Sequence, residues 1–147
     1  MTTKTIYFDM DGTIADLYAK KNWLEYLESY DVLPYKEAKV MLNMSYFARM
    51  LNKLQKQGYR IGIISWLSKN GNAEYNAEVA QAKREWLKKH LASVNWDEIH
   101  IIKYGIPKST RARGETDILF DDEEGNRAEW KGQAYNARDI MAVLRTL

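Results

Sequence analysis

The sequence predicts a single α/β domain built on a parallel β-sheet. Short apolar segments alternate along the chain with longer amphipathic ones, which is the pattern of a sheet whose strands are joined by helices. The chain has 147 residues, of which 46% are hydrophobic, so it has the size of one domain and enough apolar side chains for a core. No repeat, low-complexity tract or Pro/Gly-rich linker divides it, and we treat residues 1–147 as one domain.

Five segments are predicted to be strands, because they are short and rich in β-branched and aromatic residues, as buried strands are. They are Thr5–Phe8, Arg60–Ile64, Glu98–Ile102, Asp117–Phe120 and, with the weakest pattern, Gln133–Tyr135.

Three amphipathic segments are predicted to be helices that cover the sheet, namely Ser45–Gln57, Ala73–Leu91 and Ala137–Leu147. Gly58 can end the first helix, and Asn136 can cap the last. A mostly apolar stripe runs along the second helix and consists of Val79, Lys83, Trp86, Leu87 and Leu91.

The remaining segment, residues 17–44, is predicted to be a small helical insert after the first strand. It resembles two short helices, Asn22–Ser29 and Tyr35–Leu42, hinged at Leu33-Pro34. Because the insert follows the first strand directly, we expect it to lie over the carboxyl ends of the strands.

Composition excludes several classes of function. Cys is absent, so the chain has neither a disulfide framework nor a thiol nucleophile. The 22 basic and 20 acidic residues nearly balance, which gives no electrostatic argument for a polyanionic partner. No signal peptide and no run of roughly 18 apolar residues occurs, so we expect a cytoplasmic protein without a membrane partner.

Residues able to do chemistry follow the predicted strands, and ligands of open parallel sheets bind beyond these carboxyl ends. Asp9 and Asp11 follow the first strand, and Ser65 and Trp66 end the second. Two lysines follow the third strand and four acids follow the fourth, namely Lys103, Lys108, Asp121, Asp122, Glu123 and Glu124.

Such a cluster of carboxylates needs a cation. Two unit charges about 4 Å apart repel by roughly 4 kcal/mol at an effective dielectric constant of about 20. Oxygen ligands without His or Cys favour Mg²⁺. Asp-x-Asp-Gly also opens calcium loops, but here Gly12 stands at the fourth position and the twelfth is Lys20, not Glu. Taken alone, Ser65 is typical of a turn, and Asp121–Glu124 is typical of a solvated acidic loop. The hypothesis of a cation site therefore depends on the shared placement of these residues after strands.

These residues resemble the four motifs of the haloacid dehalogenase (HAD) superfamily of phosphohydrolases. The similar segments are Tyr7–Asp16, Ile64-Ser65, Tyr104–Lys108 and Leu119–Asp122. Within the superfamily the chain is most similar to the 5'(3')-deoxyribonucleotidase group and its small phage and bacterial relatives. That similarity depends on Asp16, on Lys83–Leu87 and on the Tyr-Gly-x-x-Lys-Ser run, whereas the insert is short for the cap of that group.

The resemblance implies a Rossmann-like three-layer sandwich with strand order 5-4-1-2-3. It implies Asp9 as the nucleophile that forms an aspartyl-phosphate, and Asp11 as the general acid and base. Mg²⁺ would be bound by Asp9, the Asp11 carbonyl and Asp122, while Asp121 either orients another ligand or binds through water. Ser65 and Lys108 would hold the phosphate, with Lys103 as the competing lysine.

The expected partner is a small phosphorylated substrate, most simply a nucleoside monophosphate. Tyr18 and Trp66 are candidate substrate-binding residues, although the aromatic residues of the insert also suit packing. Alternatives are a polynucleotide 3'-phosphate end or a phosphoprotein contacted by Arg111 and Arg113, and a catalytically silent binding protein. Phosphomutase and dehalogenase chemistry also occur on this scaffold, but dehalogenases usually lack an acid equivalent to Asp11. The oligomeric state stays open.

Overall fold

The computed structural model describes residues 3–147 and contains two sheets and six α-helices within that range. The strands are β1 (Thr5–Phe8), β2 (Ala15–Asp16), β3 (Lys39–Val40), β4 (Arg60–Trp66), β5 (Glu98–Ile102), β6 (Ile118–Phe120) and β7 (Gln133–Tyr135). The helices are α1 (Trp23–Glu28), α2 (Leu33–Lys36), α3 (Met44–Lys56), α4 (Ala73–His90), α5 (Glu124–Glu129) and α6 (Ile140–Leu144). Short 3-10 turns cover Leu17–Ala19, Lys108–Arg111 and Ala137–Asp139.

The main sheet is Rossmann-like and parallel, with the order β5-β4-β1-β6-β7. This confirms the predicted α/β class and the five parallel strands. Numbered in chain order within this sheet alone, the strands lie in the predicted order 5-4-1-2-3. The labels differ only because β2 and β3 pair in a separate antiparallel ribbon. Among the strands of the main sheet, β1 lies between β4 and β6, the second and fourth in chain order.

Alternation along β1 divides the core between the two faces of the sheet. Ile6 and Phe8 pack in a large cluster with residues of α3, α4 and α6, including Phe47, Trp86 and Ile140. The other face holds a smaller cluster, whose buried members are Tyr7, Ile64, Ile102, Leu119 and Trp130. Because β1 is buried along its whole length, the residue that follows it is held firmly in place.

Two predicted helices differ from the structure, and one observed helix was not predicted. The predicted helix Tyr35–Leu42 is wrong, because the helix is α2, with Pro34 in its first turn, and the chain then becomes extended as β3. The predicted helix Ala137–Leu147 is a 3-10 turn followed by the shorter α6. Helix α5 was not predicted, because its sequence Glu124–Glu129 has little apolar character.

Residues 17–44 pack mainly against α4. Leu17 and Tyr35 form a buried cluster with Tyr75, Val79 and Ala82 of that helix. The indole N–H of Trp86 donates to the Ala38 carbonyl at 2.7 Å, and the Tyr75 hydroxyl donates to the Asp31 carbonyl at 2.8 Å. The segment is therefore attached to α4 by both apolar contacts and hydrogen bonds.

Between residues 3 and 147, no helix has the combination of length and apolar character that crossing a membrane requires.

Candidate active site

The site lies where β1, β4 and β6 end at the same edge of the sheet. Asp9 follows β1 and its backbone N–H donates to the Phe120 carbonyl at 2.9 Å, which continues the strand pairing by one residue. A cavity of about 270 Å³ opens above this edge, and Asp9, Asp11, Lys108 and Asp121 line it. The carboxyl ends of the strands thus carry a group of acids and a lysine into one open space.

Asp9 is held at both carboxylate oxygens. The Lys108 ammonium donates to Asp9 Oδ1 and to Asp121 Oδ2, each at 2.7 Å. The Thr13 hydroxyl donates to Asp9 Oδ2 at 2.9 Å. Only 7% of Asp9 is exposed, so a small opening to the cavity is its single route to a ligand. Its orientation is therefore determined by neighbours from two different loops.

Of the two lysines that follow β5, Lys108 lines the cavity and Lys103 does not. Lys108 is 1% exposed, whereas Lys103 is exposed. Burial alone would lower the pKa of the Lys108 ammonium, but the carboxylates of Asp9 and Asp121 outweigh it and raise the pKa above its usual range. Lys108 therefore stays charged between the two acids at neutral pH.

Three aspartates form a group able to bind a cation. Asp9, Asp121 and Asp122 each present a carboxylate oxygen, and these oxygens all lie within 4.8 Å of one another. Burial and the neighbouring charge of Asp9 raise the pKa of Asp121 to about 6 and that of Asp122 to about 8. Both carboxyls therefore resist ionisation while no cation lies between them.

The charges and donors of the site fit a hard divalent cation. When ionised, Asp9, Asp121 and Asp122 carry three negative charges, and the Lys108 ammonium supplies one positive charge. Carboxylate oxygens alone, with no nitrogen or sulfur donor in the group, suit Mg²⁺. The residues present thus match the type of ion in both charge and donor chemistry.

Gly12 permits the close approach of Asp122. Its φ is +81°, and an added Cβ would lie 2.3 Å from Asp122 Oδ2, which is far inside van der Waals contact. The next residue, Thr13, accepts a hydrogen bond from the Asp122 backbone N–H at 3.2 Å. The turn after β1 therefore both makes room for Asp122 and holds its backbone.

Asp11 is paired with a lysine that the sequence analysis did not assign to the site. Lys83, in the middle of α4, is 1% exposed and donates to Asp11 Oδ2 at 2.9 Å. Burial raises the pKa of Asp11, although the adjacent Lys83 charge opposes the increase. The signal for Lys83 was present in the sequence, because it was the one charged residue in the stripe of its helix.

Ser65 lies behind this pair. It is fully buried and does not line the cavity, and its hydroxyl oxygen accepts a hydrogen bond from Lys83 at 2.6 Å. Because the oxygen acts as the acceptor there, the hydroxyl hydrogen is free to donate elsewhere.

Aromatic residues form much of the cavity wall. Trp66 donates its indole N–H to the Ile106 carbonyl at 2.8 Å and packs against Tyr104 with ring centroids 4.8 Å apart. Tyr18 also lines the cavity. It is 44% exposed, and its ring packs edge-on against that of Trp23, with the ring centroids 4.9 Å apart. Further apolar side chains of the wall are Leu17, Leu24, Leu27, Tyr35 and Leu67.

The aromatic residues in and around α1 differ in whether they reach the cavity. Trp23 and Leu27 line the cavity, whereas Tyr26 and Tyr30 do not. Tyr30 is 50% exposed and its ring lies 5.4 Å from that of Tyr75. Only part of the aromatic character of residues 17–44 is therefore available to a ligand.

Comparison with solved structures supports the fold. The chain is similar to a D,D-heptose 1,7-bisphosphate phosphatase from Burkholderia thailandensis, with a TM-score of 0.53 and 17% sequence identity over 86% of this chain and 72% of that one. No family model and no curated protein sequence matches the chain. At this identity the similarity establishes a common α/β architecture, and function has to be argued from the site.

Proposed function

We propose that this chain is a Mg²⁺-dependent phosphomonoester hydrolase that acts through an aspartyl-phosphate on Asp9. The observation that carries the proposal is the pairing of two neighbouring acids with two different buried lysines. Asp9 is bound by Lys108 and Asp11 by Lys83, so each of two carboxyls only two positions apart has an ion-pair partner of its own. Separate partners orient the two groups independently, as a nucleophile and a proton donor require.

The nucleophilic step uses Asp9. A carboxylate oxygen attacks phosphorus as the bond from phosphorus to the ester oxygen breaks, which gives an aspartyl-phosphate and an alcohol. Asp11, whose raised pKa favours the protonated form, gives its proton to the leaving oxygen. Water then attacks phosphorus and Asp11 takes its proton, which regenerates Asp9 and releases inorganic phosphate.

Positive charge around the phosphoryl group comes from Lys108. The phosphate role predicted for Ser65 is not retained, because Ser65 is buried behind the Asp11–Lys83 pair, where it accepts a hydrogen bond from Lys83. A bound Mg²⁺ would be held by Asp9, the Asp11 carbonyl and Asp122, with Asp121 orienting the group through Lys108, and would offset the repulsion between phosphate and carboxylate. Asn126 donates to Asp121 at 3.1 Å, which supports that orienting role.

The proposed substrate is a nucleoside monophosphate. Trp66 and Tyr18 line the same cavity of about 270 Å³ as Asp9, Asp11 and Asp121. Base stacking on an aromatic side chain contributes roughly 1–3 kcal/mol. The similar heptose bisphosphate phosphatase also takes its name from the hydrolysis of a phosphorylated small molecule, which supports a small substrate here.

Larger substrates receive less support. Arg111 and Arg113, the residues proposed to contact a nucleic acid backbone, do not line the cavity. The Arg111 carbonyl accepts from the Tyr7 hydroxyl at 3.2 Å, and Arg113 lies 3.7 Å from Glu98. The Arg113 guanidinium thus faces Glu98, which does not line the cavity. A silent binding protein is also disfavoured, because no group of the proposed mechanism is missing.

A panel of phosphomonoesters tests the proposal. Purified protein is incubated with nucleoside monophosphates, sugar phosphates, p-nitrophenyl phosphate and a 3'-phosphorylated oligonucleotide, each with Mg²⁺ and with a chelator. We expect Mg²⁺-dependent phosphate release that is fastest from a nucleoside monophosphate and absent in Asp9→Asn. Faster release from the oligonucleotide would replace the substrate class, and no release from any compound would refute the hydrolase assignment.

A further inference from the structure

Lys83 occupies a position where packing alone does not require a lysine. It lies within the apolar stripe of α4, between residues that contact the core and the cluster of residues 17–44. Burying an ammonium is costly, and replacement of a buried ion pair by apolar residues of similar volume is often neutral or stabilising. A methionine would fill the same stripe, so the charge at this position calls for a reason other than stability.

All three ammonium hydrogens of Lys83 are used within the protein. They are donated to Asp11 Oδ2 at 2.9 Å, Ser65 Oγ at 2.6 Å and the Trp66 carbonyl at 2.7 Å. An ammonium has three donors and no acceptor, so none is left for a substrate. Lys83 is therefore placed to act through its neighbours and not on the phosphate directly.

The three acceptors come from two different strand ends. Asp11 belongs to the turn after β1, whereas Ser65 and Trp66 end β4. From the side of the insert, the Tyr35 ring covers the ammonium at 5.2 Å from the ring centroid, and Tyr35 itself is buried. With a fixed donor on one side and an aromatic ring on the other, Asp11 and Ser65 are held in one arrangement.

We propose that Lys83 is a positioning residue that fixes the Asp11 carboxyl toward the leaving oxygen, with Ser65 and the Trp66 carbonyl holding the ammonium in place. This inference rests on the proposed hydrolase function. The inference extends that function, because it assigns the orientation of the proton donor to a residue in the middle of a helix that is remote in sequence from every strand end.

The dependence on the leaving group separates this role from a structural one. Proton donation matters for an alkyl phosphate, whose alkoxide is a poor leaving group, and matters little for 2,4-dinitrophenyl phosphate, whose phenoxide leaves without a proton. Damage to the fold or to the nucleophile lowers both rates together. A misplaced Asp11 lowers kcat/KM for the alkyl substrate selectively, because kcat/KM reports the step in which the leaving group departs, whereas the later attack of water is common to both substrates.

The experiment compares Lys83→Met with wild type and with Lys88→Met, an exposed lysine on the same helix. Lys83→Met should lower kcat/KM for a nucleoside monophosphate by about a hundredfold and for 2,4-dinitrophenyl phosphate by less than about tenfold. Asp11→Asn should show the same selectivity, and adding Lys83→Met to it should cause little further loss, because both changes remove the same function. Lys88→Met should match wild type on both substrates.

Removal of one partner of a buried pair can also unfold the chain. Lys83→Gln keeps two N–H donors, and Lys83→Met combined with Asp11→Asn leaves no unpaired charge, so one of them provides folded protein. The selectivity should persist in Lys83→Gln at a smaller size. Equal losses of kcat/KM on both substrates would overturn the role of Lys83 while leaving the hydrolase intact. Wild type inactive on both substrates would overturn the proposed function and this inference with it.

Discussion

The Lys108 ammonium and the Asp9 carboxylate lie 2.7 Å apart at the floor of the cavity, in a pair that is almost completely buried. The same ammonium reaches Asp121 at 2.7 Å, so one cation serves the end of β1 and the end of β6. Such a bridge aligns a nucleophile and offers positive charge to an incoming phosphoryl group. Lys108 does not pair with the third aspartate of the group, Asp122.

The first prediction distinguishes the two lysines that follow β5. Lys108→Gln should lower turnover by about a hundredfold or more, because a preorganised charge at the phosphoryl group is lost. Lys103→Gln, a change of the same type at an exposed position, should stay within about twofold of wild type. Steady-state hydrolysis of one phosphomonoester measures both, and a larger loss in Lys103→Gln would move the function to that residue.

The second prediction concerns Gly12 and uses Gly105 as its control. Both have a positive φ, +81° and +89°, but a Cβ at Gly105 meets nothing within 4 Å whereas one at Gly12 collides with Asp122. Ala at either position should cost about 1–3 kcal/mol through the backbone. Only Gly12→Ala should also abolish the rise in melting temperature on adding Mg²⁺. A preserved response would show that the Asp122 position is not needed for the cation.

The third prediction follows from the raised pKa of Asp122, about 8 in the folded protein. The unfolded chain releases this proton near pH 4, and the folded chain holds it until about pH 8. Ionisation therefore opposes folding, so the stability of the metal-free protein should fall as the pH rises from about 4 to about 8. Asp121, with a pKa of about 6, adds to the same trend.

Thermal unfolding in chelator and in Mg²⁺ at pH 5 and pH 8 measures this linkage. Mg²⁺ should raise the melting temperature more at pH 8, where the carboxylates are ionised and a bound ion stabilises the fold. Asp122→Asn should remove most of the difference, and Glu124→Gln, an exposed neighbour, should keep it. An equal Mg²⁺ effect at both pH values in wild type would argue against a carboxylate cation site.

The fourth prediction assigns Tyr18 to the substrate. Tyr18→Ala should raise KM for a nucleoside monophosphate about tenfold or more, because stacking on the base is lost, and change KM for a small aryl phosphate much less. Tyr30→Ala is a matched control, since Tyr30 is similarly exposed but does not line the cavity. Equal losses on both substrates, or a large drop in melting temperature, would assign Tyr18 to packing.

The sequence predicted the main sheet well because each strand has a clear physical signature. Thr5–Phe8 and Ile118–Phe120 are buried and rich in apolar residues, so their pattern is visible without tertiary information. The ribbon of β2 and β3 has two residues in each strand, too few for any period to appear. Its pairing depends on how residues 17–44 turn back over the site, which is a tertiary property.

The same reasoning explains which site residues were found. Asp9 and Asp121 follow directly after strands, where the rule for parallel sheets directs attention. Lys83 lies in the middle of a helix and reaches the site by the length of its side chain, so a search of strand ends misses it. A buried lysine in an apolar stripe was the available signal, and burial became visible only in three dimensions.

The most direct test of the central claim is the capture of phosphate on Asp9. A substrate with a radiolabelled phosphoryl group is mixed with the protein in Mg²⁺, quenched in acid within milliseconds, and the labelled peptide is identified by mass spectrometry. With labelled 2,4-dinitrophenyl phosphate, whose leaving group needs no proton, Asp11→Asn slows mainly the attack of water and should accumulate more label than wild type, whereas Asp9→Asn should take up none. We expect hydroxylamine-sensitive label on the peptide that contains Asp9. Turnover by wild type with no label on wild type or on Asp11→Asn would contradict the account. Label that persists in Asp9→Asn would also contradict it.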